Sequence, residues 1–221
     1  HFIHNAPPEL HRAVYSAKQE RSLGLGAMGF HAYLQRHSIP FESVMAKVRN
    51  KNMFREIKER ANETTKILAT ERGECPDGLG HGVRNSHLLA IAPNASSSII
   101  CGNTSPSIEP YRANAFVQKT KTGSSLLKNE YLEHCLDEIG MNTEEIWKDI
   151  ITHDGSVQHL DFLDQDTKDI FKTGVELDQR WLVEFAADRQ EYICQSQSLN
   201  LFFPADVSKQ ELHAVHMMAW K

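Results

Sequence analysis

The feature that most constrains the fold of this chain is a short apolar segment that runs directly into a turn of small polar residues. Residues 88–92 (LLAIA) form a continuous apolar run of the length of a buried strand. Residues 93–98 (PNASSS) follow at once and predict a tight turn and a helix start, because Asn and Ser favour both. Residues 198–203 (SLNLFF) predict a second strand. With helices between these segments, we expect a helix-rich α/β fold with largely parallel strands.

Most of the remaining chain is predicted to be helical. Apolar spacing, prolines and capping residues predict helices over residues 7–20, 28–35, 38–73, 131–139, 144–151, 165–171, 175–193 and from Ser208 to the end. Residues 116–120 and 126–127 flank Thr122 and Gly123, which predicts a β-hairpin.

The bulk properties indicate a globular protein. The 221 residues are 40% hydrophobic, and the net charge of -5 argues against nucleic acid or an anionic membrane as partner. No apolar run approaches the roughly 20 residues that cross a bilayer. The four cysteines are widely spaced without a CxxC pair, so we expect a reducing cytoplasm and neither a zinc site nor a disulfide framework. The chain starts without methionine and stops inside a predicted helix, so we expect the natural protein to continue in both directions.

The turn over residues 94–97 has two interpretations. If Asn94 caps the helix, the amides of Ala95, Ser96 and Ser97 are unpaired first-turn donors, and the helix dipole favours a phosphate there. The hydroxyls of Ser96 and Ser97 would add donors, and the missing lysine excludes a nucleotide P-loop. A plain helix cap needs no ligand at all. The segment by itself leaves both interpretations open.

Residues 24–29 (GLGAMG) match the GxGxxG pattern of dinucleotide-binding proteins. The preceding residues are polar and helical, whereas the fingerprint needs a buried strand before it. We therefore expect these glycines to permit close packing, with a nicotinamide oxidoreductase as the weaker alternative.

Three further polar groups favour structural roles. Glu109 is expected to pair with Arg112 or Arg84, and residues 195–200 (QSQSLN) are expected to form a hydrogen-bond network. His213 and His216 lie three residues apart on the last helix, but no third ligand accompanies them, so no metal site is predicted.

Five motifs in order connect the chain to a known family. Residues 21–26 (RSLGLG), 84–86 (RNS), 93–97 (PNASS), 107–110 (SIEP) and 195–200 (QSQSLN) resemble the large, catalytic subunit of class I ribonucleoside-diphosphate reductase. The resemblance is nearest to the eukaryote-like and viral branch and covers essentially the whole chain. It implies that residues 1–221 form a single partial domain, the C-terminal half of a ten-stranded α/β barrel.

The resemblance also implies a substrate site. It matches Asn94, Ala95, Ser96 and Ser97 to the loop that holds the diphosphate of a ribonucleoside diphosphate, which the family reduces to a deoxyribonucleotide for DNA synthesis. The family's reacting cysteines match none of the cysteines here, so no catalytic residue is assigned and the isolated segment is expected to lack reductase activity.

Cofactors and partners follow from the same resemblance. No cofactor is expected on this segment, because the family takes a radical from a metal-containing small subunit and electrons from a thioredoxin-type reductant. The small subunit's tail is expected near His213, Val215 and Met218, and the intact subunit is expected to form a homodimer. The alternative function is a non-catalytic phosphate-binding or assembly fragment of a split enzyme.

Overall fold

Helices dominate the computed structural model, which describes residues 2–121 and 123–221. Short 3-10 helices cover Pro8–Leu10 and Pro76–Gly78. The α-helices are α1 Phe2–Asn5, α2 His11–Glu20, α3 Phe30–Arg36, α4 Val44–Arg72, α5 Ala95–Ile100, α6 Glu130–Glu138, α7 Glu144–Thr152, α8 Gln165–Ile170, α9 Gln179–Gln190 and α10 Lys209–Trp220. Within the described ranges, none of them is both long and apolar enough to span a bilayer.

The predicted helices are confirmed, with shifts at several of their ends. The first is α-helical only from His11, after a 3-10 turn, and α4 begins at Val44 rather than Ser38. Helix α9 begins at Gln179 rather than Val175. The late start of α9 has a local cause, because the Glu176 carboxylate accepts hydrogen bonds from both the amide (2.7 Å) and the hydroxyl (2.8 Å) of Thr173. These bonds fix a turn where the apolar pattern alone favours a helix.

The chain divides into two compact units. The first comprises His1–Gly26, Asn50–Ala92 and Asp188–Gln197, and the second comprises Ala27–Arg49, Pro93–Ala187 and Ser198–Lys221.

In the first unit, three extended segments pair in parallel. Isolated bridges join Leu25 to Leu89 and Ile91 to Gln197. The amide of Leu25 donates to the carbonyl of Leu88 (2.8 Å), and the amide of Ile91 donates to that of Ser196 (3.1 Å). Parallel pairing is thus confirmed here, but as single bridges rather than as full strands.

Gly24 and Gly26 lie in this paired region and serve close packing, as expected. A Cβ at Gly26 would lie 2.8 Å from the carbonyl oxygen of Ala90, whereas one at Gly24 would lie 3.5 Å from the Ala90 Cβ. Leu25, between them, is itself paired, so these glycines do not form the phosphate turn that follows the strand in dinucleotide-binding proteins. The nicotinamide alternative has no support in this geometry.

The strand predicted over residues 198–203 does not form, because side chains take its backbone donors. The amide of Asn200 donates to Oε1 of Glu109 (3.1 Å), and the amide of Phe202 donates to Oε1 of Gln179 (2.7 Å). A strand needs these groups for its ladder. Among the described residues the only sheet is a hairpin, and they contain no closed barrel, so the expected barrel half is confirmed only as a helix-rich fold.

The predicted hairpin is confirmed in the second unit. Strand β1, Ala115–Thr120, pairs antiparallel with strand β2, Gly123–Lys128, and the predicted turn residue Thr122 lies outside the described residues. Beside the hairpin, α6 and α7 pack around one apolar core. Its buried members are Ala115, Leu132, Leu136, Trp147, Ile150, Val157, Leu160, Leu163 and Phe171.

A buried polar network lies in the same unit. Asn129 donates from Nδ2 to Gln35 Oε1 and to Asn114 Oδ1, both at 2.9 Å. Next to Gln35 along α3, the fully buried His31 accepts the amide N–H of Tyr111 at its Nδ1 (3.0 Å). Burial lowers the pKa of His31 from 6.5 to about 3, so the ring stays neutral.

Candidate functional site

The turn at Asn94 has a geometry that differs from an ordinary helix cap. Asn94 precedes α5 with φ 53° and ψ 25°, the left-handed conformation that Asn tolerates better than most residues. Its carbonyl accepts the amide of Ser98 (3.0 Å), but its side chain makes no capping bond. Asn94 therefore holds the cap position, while the side-chain cap that the plain interpretation assumes is absent.

The first turn of α5 presents several donors that meet no acceptor within the described residues. These donors are the amides of Ala95, Ser96 and Ser97 and the hydroxyls of Ser96 and Ser97, and all three residues are exposed. Ser98 differs, because it is buried and its hydroxyl donates to the carbonyl of Ala95 (3.0 Å). The turn thus offers water, or an anion, three N–H and two O–H groups at one place.

A cleft of about 690 Å³ adjoins α5 within the second unit. Ala95, Ser96 and Ser98 line one part of it, and Tyr111 and Arg112 line another. Arg112 is exposed and adds a positive charge to the cleft wall.

Glu109 was expected to pair with an arginine, and this prediction is wrong. Glu109 is 3% exposed, and its Oε1 accepts from both the amide (3.1 Å) and Nδ2 (2.8 Å) of Asn200. Arg84 instead donates to the carbonyls of Arg72 (2.8 Å) and Gly73 (3.0 Å). The carboxylate therefore connects two motifs that lie 91 residues apart in sequence.

The hydrogen-bond network expected for residues 195–200 is confirmed at its glutamines. In the first unit, Gln195 Nε2 donates to the carbonyl of Leu23 (3.2 Å), and Gln197 Nε2 donates to Gln190 Oε1 (2.8 Å). These side chains therefore hold the paired segments in place.

Ser208 caps helix α10 as the capping pattern predicts, with its hydroxyl accepting the amide N–H of Glu211 (3.1 Å). The three residues expected near a partner differ in exposure: His213 is exposed, Met218 is half-buried and Val215 is buried at 3%. His216 is held by its own helix, because its Nδ1 lies 2.7 Å from the carbonyl of Leu212.

Sequence reasoning missed a histidine and aspartate cluster in the second unit. Asp149, His153 and His159 place their ligand atoms within 4.8 Å of one another. The Asp149 and His153 spacing of four on a helix was the available signal, but His159 reaches them only through the turn that follows.

Comparison with known proteins agrees with the resemblance. The family model described as "Ribonucleotide reductase, barrel domain" matches residues 2–78 and 76–221. A ribonucleoside-diphosphate reductase large subunit of Invertebrate iridescent virus 3 is 48% identical over 223 residues, which cover all of this chain and 35% of the relative. One from Danio rerio is 33% identical over 95% of this chain and 30% of the relative.

A solved structure agrees as well. The Actinobacillus ureae class Id ribonucleotide reductase alpha subunit superposes with a TM-score of 0.90 at 39% identity, over 99% of this chain and 41% of that chain. The chain thus spans about a third of the length of the two relatives above. The family model covers nearly every residue, and the chain belongs to the ribonucleotide reductase barrel-domain family.

Proposed function

We propose that this chain supplies the substrate diphosphate-binding loop of a ribonucleoside-diphosphate reductase large subunit. The observation that carries the proposal is the set of three unpaired amides and two free hydroxyls at Ala95, Ser96 and Ser97, after the left-handed Asn94. A charge-assisted hydrogen bond to phosphate contributes about 1.5–3 kcal/mol. Several such bonds would orient the substrate by its phosphates, which suits an enzyme that accepts CDP, UDP, ADP and GDP.

The intact enzyme would reduce ribonucleoside diphosphates to deoxyribonucleoside diphosphates. The relatives named above are called ribonucleoside-diphosphate reductase large subunits, and they extend well beyond the region that this chain matches. We infer that the radical, delivered by a metal-containing small subunit, and the electrons of a thioredoxin-type reductant act on residues outside the matched region. The role of this chain is to hold the diphosphate while that chemistry occurs.

The match of one family description to residues 2–78 and 76–221 supports treating the whole chain as part of a single barrel domain. On α10, the exposed His213 and the half-buried Met218 support a contact with the small subunit's tail, whereas Val215 would support that helix from its buried side. The intact subunit is proposed to form a homodimer, in the reducing cytoplasm that its unpaired cysteines favour.

Calorimetric titration of the full chain with CDP, UDP, ADP, GDP and cytidine tests the loop. Ser96→Ala and Ser97→Ala should each weaken binding of all four diphosphates by about 1.5–3 kcal/mol, roughly 10- to 150-fold, and leave cytidine binding unchanged. Ser124→Ala, on the exposed strand β2, is the matched control and should change nothing. Equal losses for CDP and cytidine, or no loss for either serine, would contradict the proposal.

The chain alone should not turn over CDP in the presence of a reductant, because its cysteines match none of the family's reacting positions. Measurable deoxycytidine diphosphate would refute that assignment. Diphosphate binding without turnover, even after the other subunits are added, would instead favour the alternative of a non-catalytic phosphate-binding fragment.

A further inference from the structure

Two imidazoles and one carboxylate meet at the C-terminal end of α7. The rings of His153 and His159 stack with centroids 3.7 Å apart and planes 20° from parallel. The Asp149 carboxylate faces both rings: Oδ1 lies 3.2 Å from His153 Nδ1, and Oδ2 lies 3.0 Å from His159 Nε2. One carboxylate is therefore shared between two aromatic bases at close range.

The spacing suits a small transition-metal ion. Zinc bonds to imidazole nitrogen and carboxylate oxygen measure about 2.0–2.2 Å, so tetrahedral ligand atoms lie roughly 3.3–3.5 Å apart. The Asp149 contacts with the two histidines are already near that separation, and all three ligand atoms lie within 4.8 Å of one another. Because a metal lies in the plane of each imidazole that binds it, the two rings would have to turn out of their near-parallel stack to share one ion.

The surroundings also favour a cation. His153 is the C-terminal cap residue of α7, where the helix dipole is negative. Its Nδ1 lies 2.9 Å from the carbonyl of Asp149, a hydrogen bond that metal binding at this nitrogen would replace. Asp149 and His153 are about half-exposed, so an ion can reach them from solvent, while His159 is more buried.

We propose that Asp149, His153 and His159 bind a Zn²⁺ ion, with water in the fourth position. Two imidazole nitrogens and one carboxylate oxygen are a ligand set that zinc commonly takes. Neutral imidazoles donate their lone pairs to the ion, and each ring proton moves to the other nitrogen. On His159 that nitrogen is Nδ1, which is buried without a hydrogen-bond partner. We therefore expect an affinity about 10–100-fold below that of a site whose ligands are held by further hydrogen bonds.

The ion would join the end of α7 to the turn that follows it. His159 lies between Val157 and Leu160, which are buried in the same apolar core as Ile150 of α7. Zinc binding would thus stabilise the helix end against the core and raise the melting temperature of the protein.

The test is a zinc titration of the full chain, after treatment with a chelator, in competition with a chromophoric chelator. We expect the wild type to differ from His159→Gln and Asp149→Asn in one of two ways. Either it binds one additional Zn²⁺ ion, or it binds the same ion with a dissociation constant more than about 100-fold lower. Asp149→Asn keeps one side-chain oxygen of nearly the same shape, which can still accept from one of the two histidines, and is therefore the variant less prone to a folding defect. His134→Gln removes an exposed histidine from α6 and should bind zinc like the wild type.

A second measurement uses the wild type alone. Co²⁺ in this site should show the absorption of a four-coordinate ion with nitrogen and oxygen ligands, and saturating Zn²⁺ should raise the melting temperature. A thiolate charge-transfer band would assign the metal to cysteines and overturn the proposal. Wild-type protein that binds no zinc, or that binds it no better than both variants, would overturn it equally.

Discussion

The buried imidazole of His31 makes the stability of the second unit depend on pH. His31 is fully buried on α3, and burial lowers its pKa from 6.5 to about 3. The imidazole therefore becomes protonated near pH 6.5 in the unfolded chain but only near pH 3 in the folded chain. Stability from this group is fully present above pH 6.5 and is lost progressively as the pH falls towards 3.

The magnitude follows from the two pKa values. At pH 5, protonation of His31 in the unfolded state raises the ratio of unfolded to folded protein by a factor of roughly 30, which corresponds to about 2 kcal/mol. The variant for comparison is His31→Gln. It removes the titrating imidazole, and its side-chain oxygen can still accept the amide N–H of Tyr111. The wild type should lose about 2 kcal/mol more than this variant between pH 8 and pH 5.

Urea unfolding at several pH values, followed by tryptophan fluorescence, measures this difference. The three tryptophans, Trp147, Trp181 and Trp220, all lie in the same unit as His31, so their emission reports the relevant unfolding step. His134→Gln, which removes an exposed histidine, should follow the wild type at every pH. Identical pH dependence in wild type and His31→Gln would refute the assignment of a neutral, buried imidazole.

Two further substitutions test packing and hydrogen bonding. Glu109→Ala removes the acceptor of two Asn200 donors and should lower the free energy of unfolding by about 1.5–3 kcal/mol in urea titrations, while Glu109→Gln should cost less because one oxygen remains. Gly26→Ala would push a Cβ to 2.8 Å from the carbonyl oxygen of Ala90 and should cost about 1–3 kcal/mol, whereas Gly24→Ala meets only ordinary contact and should cost nothing. Equal effects of the two glycine variants on the melting temperature would show that the close approach at Gly26 is unimportant.

Local signals in the sequence were sufficient to predict most of the helices and the hairpin. The Ser208 cap is an example, because its partner Glu211 lies only three residues away and the pattern contains both groups. The hairpin over β1 and β2 was equally readable, since its two strands are adjacent in sequence.

Distant partners account for what the sequence did not reveal. Residues 198–203 have the composition of a strand, but Glu109 and Gln179, which are remote in sequence, take the amides of Asn200 and Phe202. Propensity cannot anticipate such a competitor, because nothing near the segment encodes it.

The candidate loop was only half predictable. Its small residues and hydroxyls indicated an anion-binding turn, and the unpaired amides of Ala95, Ser96 and Ser97 fit that interpretation. The left-handed conformation of Asn94 was not predictable, because Asn is equally suited to an ordinary side-chain cap.

The bond between Glu109 and Asn200 also limits how this protein can change. A substitution at Asn200 leaves the buried carboxylate of Glu109 without its donors, and one at Glu109 removes the acceptor of the Asn200 side chain, so the two positions are expected to change together. Recombination between related genes with a crossover between these positions would separate the two residues and produce mismatched hybrids wherever the parents differ there. The pair should therefore behave as a single heritable unit, despite the 91 residues between its members.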